Sequence, residues 1–214
     1  MRWTPGPIRP TLTPVAATLI TIGVVALLLL VWAVASYNRM ARLRQYIRES
    51  WSDIDVELRR RYELIPNLVE TVKGYAAHER TVLQEVTALR NRAEASRGDA
   101  ASQATDETAL LLGLKKLFAV VEAYPTLKAD KHYLALQQEL SLTEDRIASA
   151  RRFYNGNIRE MKQLCETVPT NIIASAFGFE AGAYFELSSA AERVVPRVEL
   201  PALSGHSSAS RAES

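Results

Sequence analysis

Two periodicities of apolar residues divide the chain. From Val15 to Ala35 the sequence VAATLITIGVVALLLLVWAVA is apolar on every side and carries no charge. As a helix rising about 1.5 Å per residue this run spans about 32 Å, which matches a bilayer hydrocarbon core of about 30 Å. The pattern predicts a transmembrane helix over 15–35 behind a short N-terminal tail, 1–14. Beyond it the apolar positions narrow to a stripe: Leu43, Ile47, Trp51, Ile54, Leu58, Tyr62, Ile65, Val69, Val72, Ala76, Leu83 and Val86. The steps are mostly of three and four, with one of seven at the end, as expected for an amphipathic helix packed along a bundle.

Pro66 interrupts that stripe. Proline removes a backbone donor and crowds the preceding turn; the register runs on through Pro66 without a slip, which favours a kink or tight break between two collinear segments, with a reversal of the chain as the alternative. Residues 96–107 (SRGDAASQATDE) hold no large apolar side chain and read as a loop. A helix follows with Leu110, Leu114, Leu117 and Val121, stopping at Tyr124-Pro125 because a residue before proline is pushed out of the helical region. The next runs from about Asp130 to Glu166 and places Tyr133, Leu140, Ile147, Tyr154, Ile158, Met161 and Cys165 on one face. Past it, Ile172, Ile173, Phe177, Phe179 and Phe185 read as a cap on the bundle, with membrane-surface contact as the alternative. The predicted fold class is all-α: an N-terminal transmembrane helix, then a long-helix antiparallel bundle of the four-helix type over 36–187. Residues 188–214 read as a mostly disordered tail, in which Val194–Leu200 resembles a short extended ligand.

Composition narrows the picture. Four of the nine prolines precede residue 15, and between Ser36 and Cys165 only Pro66 and Pro125 occur, too few turn signals for an ordinary β or α/β domain. Lys and Arg number 26 against 24 Asp and Glu, a net charge of +2, which argues against a nucleic-acid partner. The single Cys165 excludes an intramolecular disulfide and a CxxC zinc half-site. The charge is unevenly placed, however. Arg39, Arg42, Arg44 and Arg48 follow the apolar run, whereas only Arg2 and Arg9 precede it. By the positive-inside rule the N-terminus lies outside and the bundle in the cytoplasm, in a single pass of the bacterial inner membrane. A cleavable signal peptide is the rival, since Ala33-Val34-Ala35 resembles a cleavage site; the long apolar run and the arginines after it count against that.

Some charged residues need their own account. Arg39 to Arg44 lie roughly 5–14 Å beyond Ala35, within reach of headgroups, but Arg59, Arg60 and Arg61 lie about 36–39 Å away, several Debye lengths out. A solvated helix face and a dock for an acidic partner are the two readings of that triplet. With Asn67, Lys73 and Glu79 it forms the candidate partner-binding patch. Continuing the stripe of the last long helix puts Glu144 and Arg151 on the inward seam, with Glu79 in a similar position on the first. A buried charge needs a partner, so Glu144, Arg151, Tyr154 and Asn155 form a candidate buried polar network, unless they sit at the seam edge and snorkel to water. No catalytic residue, cofactor or metal is expected. His78-Glu79 opens like a zincin motif, but Val82 stands where histidine is required.

The run Trp51-Ser52-Asp53-Ile54-Asp55-Val56-Glu57-Leu58-Arg59-Arg60-Arg61-Tyr62-Glu63-Leu64-Ile65-Pro66-Asn67-Leu68-Val69-Glu70-Thr71-Val72-Lys73-Gly74-Tyr75-Ala76-Ala77-His78-Glu79 resembles the LemA family of bacterial membrane proteins. So do Arg151-Arg152-Phe153-Tyr154-Asn155, Phe177-Gly178-Phe179 and Tyr184-Phe185. The resemblance implies a single-pass protein with a cytoplasmic four-helix bundle. Its relatives' company of membrane metallopeptidases and envelope-stress proteins implies an accessory role, and it transfers no catalytic residues. The leading expectation is therefore a non-enzymatic adaptor or scaffold for a membrane partner such as a peptidase. The alternatives are a self-assembling structural protein, forming homo-oligomers, and a metal-binding bundle enzyme using His78, Glu79 and Glu144.

Overall fold

The computed structural model describes residues 14–96 and 99–188. Most of the N-terminal tail and the C-terminal segment from 189, with Val194–Leu200 in it, lie outside the described residues. Six helices follow one another: α1 (Pro14–Tyr75), α2 (Arg80–Ala95), α3 (Ala100–Val121), α4 (Pro125–Lys128), α5 (Lys131–Glu166) and α6 (Thr170–Phe177). The chain forms two compact units, one of 14–49 with 156–182, the other of 50–155 with 183–188.

The second unit is an up-down-up-down bundle of α1 from Ser50, then α2, α3 and α5 as far as Asn155. Side-chain pairs give the directions. Arg90 of α2 reaches back to the Tyr62 carbonyl of α1; on α3, Asp106 pairs with Arg92 and Lys116 with Glu85. Between α1 and α5, Arg60 pairs with Glu139, and Tyr75 donates to Asp130 at 3.0 Å. The core seam of α1 runs Ile54, Leu58, Arg61, Ile65, Leu68, Val72, all at most 2% exposed, in the alternating steps of four and three that face a neighbouring helix. At Gly113 of α3 an added Cβ would come within 2.7 Å of Leu89 Cδ1, so the glycine sets how closely α3 approaches α2.

Pro66 neither breaks nor reverses the chain: α1 is continuous through it. The physical reason lies on another helix. Proline has no N–H for the Tyr62 carbonyl four residues back, and Arg90 Nε donates to that oxygen instead, at 3.0 Å. The reversal comes at Ala76–Glu79, where the predicted stripe made its step of seven; Glu79 is thus the half-buried residue before α2, not a seam position on a longer helix. The predicted loop 96–107 is also shorter, because α3 starts at Ala100, capped by Asp99 accepting from the Ser102 amide at 2.9 Å. α4 begins with Pro125 at its first position, where a missing N–H costs nothing.

In the first unit, the described residues leave α1 exposed from Val15 to Val34, with only Ala16, Trp32 and Ala33 half-buried. Leu19, Ile22, Val25 and Leu27 to Leu30 are all at least half exposed, and the apolar window has a mean hydropathy of 2.6 with none of it buried. A core helix would be covered; this surface is built for lipid. Further along the same unit, Met40 and Leu43 pack on Met161, Leu164, Ala174 and Phe179, Arg39 pairs with Glu160 at 2.9 Å, and Arg44 lies 4.2 Å over the Phe179 ring. Gly178 closes α6 with φ 64°, a left-handed position natural to glycine. Among the predicted cap residues Phe179 and Phe185 are buried, whereas Ile172 and Phe177 are exposed and cap nothing.

Candidate functional site

The arginine triplet splits three ways because successive helical residues are turned by about 100°. Arg59 faces solvent and pairs with Asp55 at 2.7 Å; Arg60 is half exposed and pairs with Glu139 at 2.9 Å. Arg61 is completely buried. Neither a solvated face nor a partner dock describes it, so it leaves the candidate patch.

Arg61 instead holds the centre of the second unit. Its Nη1 donates to Glu144 Oε1 of α5 at 2.6 Å, and its Nη2 donates to Glu107 Oε2 of α3. The other Glu107 oxygen accepts from the Tyr62 hydroxyl and, at 2.9 Å, from Gln103 Nε2. Gln103 also donates to the Tyr62 hydroxyl and to the Ala93 carbonyl, at 3.1 and 3.2 Å. Both Glu107 oxygens are thereby hydrogen-bonded, although Arg61 Nε has no acceptor among the described residues. Burial alone would lower the Arg61 pKa, but the charges of Glu144 and Glu107 outweigh it and hold the guanidinium above its already high ordinary range. Tyr62 is pushed up by burial and by Glu107, and stays a neutral donor.

A separate cluster holds Tyr154 and Asn155. Tyr154 donates to the Ala183 carbonyl at 3.0 Å. The Asn155 amide acts like a second strand of backbone: Nδ2 donates to the Phe185 carbonyl at 3.0 Å and Oδ1 accepts from the Phe185 amide at 2.9 Å. Trp51 meets both rings at steep angles, tilted to Tyr154 at 5.3 Å and edge-on to Phe185 at 5.6 Å. The predicted polar network is therefore two groups, with Glu144 in the Arg61 cluster, Tyr154 and Asn155 clamping 183–185, and Arg151 half-buried on α5.

Two hollows open on the outer face of α1. One, of about 660 Å³, is lined by Val56, Arg59, Arg60, Glu63, Leu64, Asn67 and Glu139. The other, of about 640 Å³, lies between α1 and α2 and includes Val69, Lys73, Arg80, Leu83 and Asn91. Arg59, Arg60 and Asn67 thus share the first hollow, Lys73 lines the second, and Glu79 lines neither. Among the described residues no three His, Cys, Asp or Glu side chains are placed to hold a metal ion.

Glu107 and Gln103 were missed, since both fall in the stretch read as a loop. The signal was present: Gln103, Glu107, Leu110 and Leu114 step by four, three and four, so the α3 seam continues backwards through polar residues. Arg61 carried the same signal, lying between Leu58 and Ile65.

A lipid-facing helix followed by a helical bundle with a buried ion cluster defines a membrane-anchored all-α protein. The chain matches the LemA family over residues 50–200, and it belongs to that family. It is 27% identical over 175 residues to magnetosome protein MamQ 2 of Paramagnetospirillum magneticum, covering 70% of this chain and 64% of that protein. Against magnetosome protein MamQ of Magnetospirillum gryphiswaldense it is 26% identical over 174 residues, with the same two coverages. Protein LemA of Metamycoplasma hominis is 27% identical over 151 residues, 71% of this chain and 69% of that one. The chain thus spans about 64% of the length of the magnetosome relatives.

Proposed function

We propose that this LemA-family protein is a non-enzymatic adaptor, with its N-terminus outside a bacterial inner membrane and its bundle in the cytoplasm, where it docks a membrane protein. The observation that carries the reading is the hollow around Val56, which is 60% exposed and bordered by Arg59, Arg60 and Asn67. The ion pairs of Arg59 with Asp55 and of Arg60 with Glu139 are solvent-exposed. Such pairs are worth about 0–1 kcal/mol, so a partner's carboxylates replace them at little cost. An apolar centre of Val56 and Leu64 with a rim of two arginines and two glutamates, Glu63 and Glu139, suits a partly apolar protein face that carries charges of its own. Arg61, Glu107 and Glu144 bond to one another inside the bundle, which supports a structural rather than a chemical role for them. The orientation is supported by Arg39, Arg42, Arg44 and Arg48 after the span against Arg2 and Arg9 before it.

The test is crosslinking in intact cells, gentle solubilisation and identification of what co-purifies. The native chain is expected to retain a membrane protein, and the Arg59→Ser/Arg60→Ser double variant to lose it at unchanged abundance. An unaltered set of co-purifying proteins, or none with the native chain, overturns the reading.

A further inference from the structure

The segment Thr167–Phe179 (TVPTNIIASAFGF) contains no charged residue. One side of α6 is fixed to the protein through buried Ala174 and the Phe179 that follows it, both packed with Met40, Leu43, Met161 and Leu164. Outside that contact, Val168 just before α6 is 72% exposed, and on α6 Ile172 is 61% and Phe177 58% exposed. Three large apolar side chains held outward on an uncharged segment need a cover.

Their position says what covers them. The Phe177 ring stands edge-on to Tyr37, with centroids 4.9 Å apart. Tyr37 is two residues beyond Ala35, the last residue of the uncharged span, hence about 3 Å further along the helix. That is the headgroup level, where tyrosine and tryptophan collect. Phe177 touches Tyr37 and shares its depth. Phe177 therefore continues the exposed apolar surface of α1 at the point where α1 leaves the bilayer, and Ile172 and Val168 lie exposed on the same short uncharged segment. Arg42 is exposed on α1 about 10 Å beyond Ala35, supplying a cation where anionic headgroups lie.

We infer that α6 is an interfacial helix, lying at the boundary of headgroups and acyl chains in the leaflet from which α1 emerges, with Val168, Ile172 and Phe177 inserted in lipid. The membrane then holds the chain at two places, the span and this shallow element.

The test uses the full chain in vesicles of phosphatidylcholine and phosphatidylglycerol. In a Cys165→Ser background, a nitroxide is attached at Val168→Cys, Ile172→Cys or, as an aqueous reference, Val56→Cys. Power saturation compares collisions with oxygen, which concentrates in lipid, and with a water-soluble nickel chelate. The oxygen-to-nickel ratio at 168 and 172 is expected to be several-fold above that at 56. A ratio equal to the reference places α6 in water and overturns the inference, as does low collision with both reagents, which means a second copy or another protein covers it. A second measurement leaves Cys165 in place. With Ile172 replaced by a photoreactive benzoylphenylalanine, illumination is expected to yield lipid adducts that the same replacement at Val56 does not, and equal lipid labelling at both sites, or none, overturns the proposal.

Discussion

Arg90 and Pro66 are 24 positions apart and on different helices, yet the structure makes the effect of each depend on the other. Arg90→Met keeps most of the side-chain stem but removes the donor to the Tyr62 carbonyl. A hydrogen bond from a charged group contributes about 1.5–3 kcal/mol, and the pair of Arg90 with Glu94 adds about 0.5 kcal/mol or less. The variant is therefore expected to lose about 2 kcal/mol. In a Pro66→Ala background the backbone amide regained at that position donates to the same carbonyl, so Arg90→Met costs only the Glu94 pair and some packing. The coupling in a double-mutant cycle is then about 1–1.5 kcal/mol. Urea unfolding of the full chain in micelles, followed by helical circular dichroism, reads it. With a slope of about 2 kcal/mol per molar urea, Arg90→Met lowers the midpoint by about 1 M in the native background and by about a quarter to a half of that in the Pro66→Ala background. Equal losses in both backgrounds, within the additivity error of about 0.3–0.5 kcal/mol, would refute this account of how α1 passes its proline.

Three further outcomes are expected. Glu107→Ala leaves the buried Arg61 with Glu144 alone and takes the acceptor from Tyr62 and Gln103, and should cost about 3–5 kcal/mol, whereas joint Arg61→Met, Glu107→Leu and Glu144→Leu should cost much less; thermal unfolding of the two variants separates them. Burial, helped by the charge of Glu122, pushes the Tyr133 hydroxyl up to about 12. An unfolded chain loses that proton near pH 10 while the fold retains it, so stability is full below about pH 10 and falls up to about pH 12, by at most about 2–3 kcal/mol; Tyr133→Phe should remove that share of the alkaline loss, and an unchanged stability profile would count against it. Asn155→Ala breaks both bonds to Phe185, at a cost of about 1–3 kcal/mol, and hydrogen exchange at the Phe185 amide should accelerate at least tenfold while the α3 amides keep their protection.

The membrane span, α5 and the apolar seam of α3 were legible because each rests on a local period. α5 begins and ends within a residue of its predicted bounds. What stayed hidden depends on partners distant in sequence. The apolar register ran through Pro66 without a slip and favoured collinear segments, but not an unbroken helix, since the donor that replaces the proline's N–H comes from Arg90. Residues 100–107 look like a loop until Glu107 is seen to face Arg61. Phe177 and Phe179 have the same side chain two positions apart, yet one packs against Met40 and Leu43 and the other lies open beside Tyr37. Composition could not separate them; the turn at Gly178 does.

The cluster around Arg61 also fixes how the helices of the bundle line up. Seams of leucine, isoleucine and valine look much alike after one helix slides past another by a turn, about 5.4 Å, so apolar packing alone selects weakly among such alignments. A guanidinium on α1 bonded to carboxylates on both α3 and α5 has only one. Sliding α3 by a turn would separate Arg61 from Glu107, two fully buried charges with no water to fall back on, and sliding α5 would take Glu144 from the same guanidinium. A bundle with methionine and leucines at these three positions is thus expected to stay folded and lose singularity, visible as exchange-broadened signals from Leu110, Leu114 and Leu140.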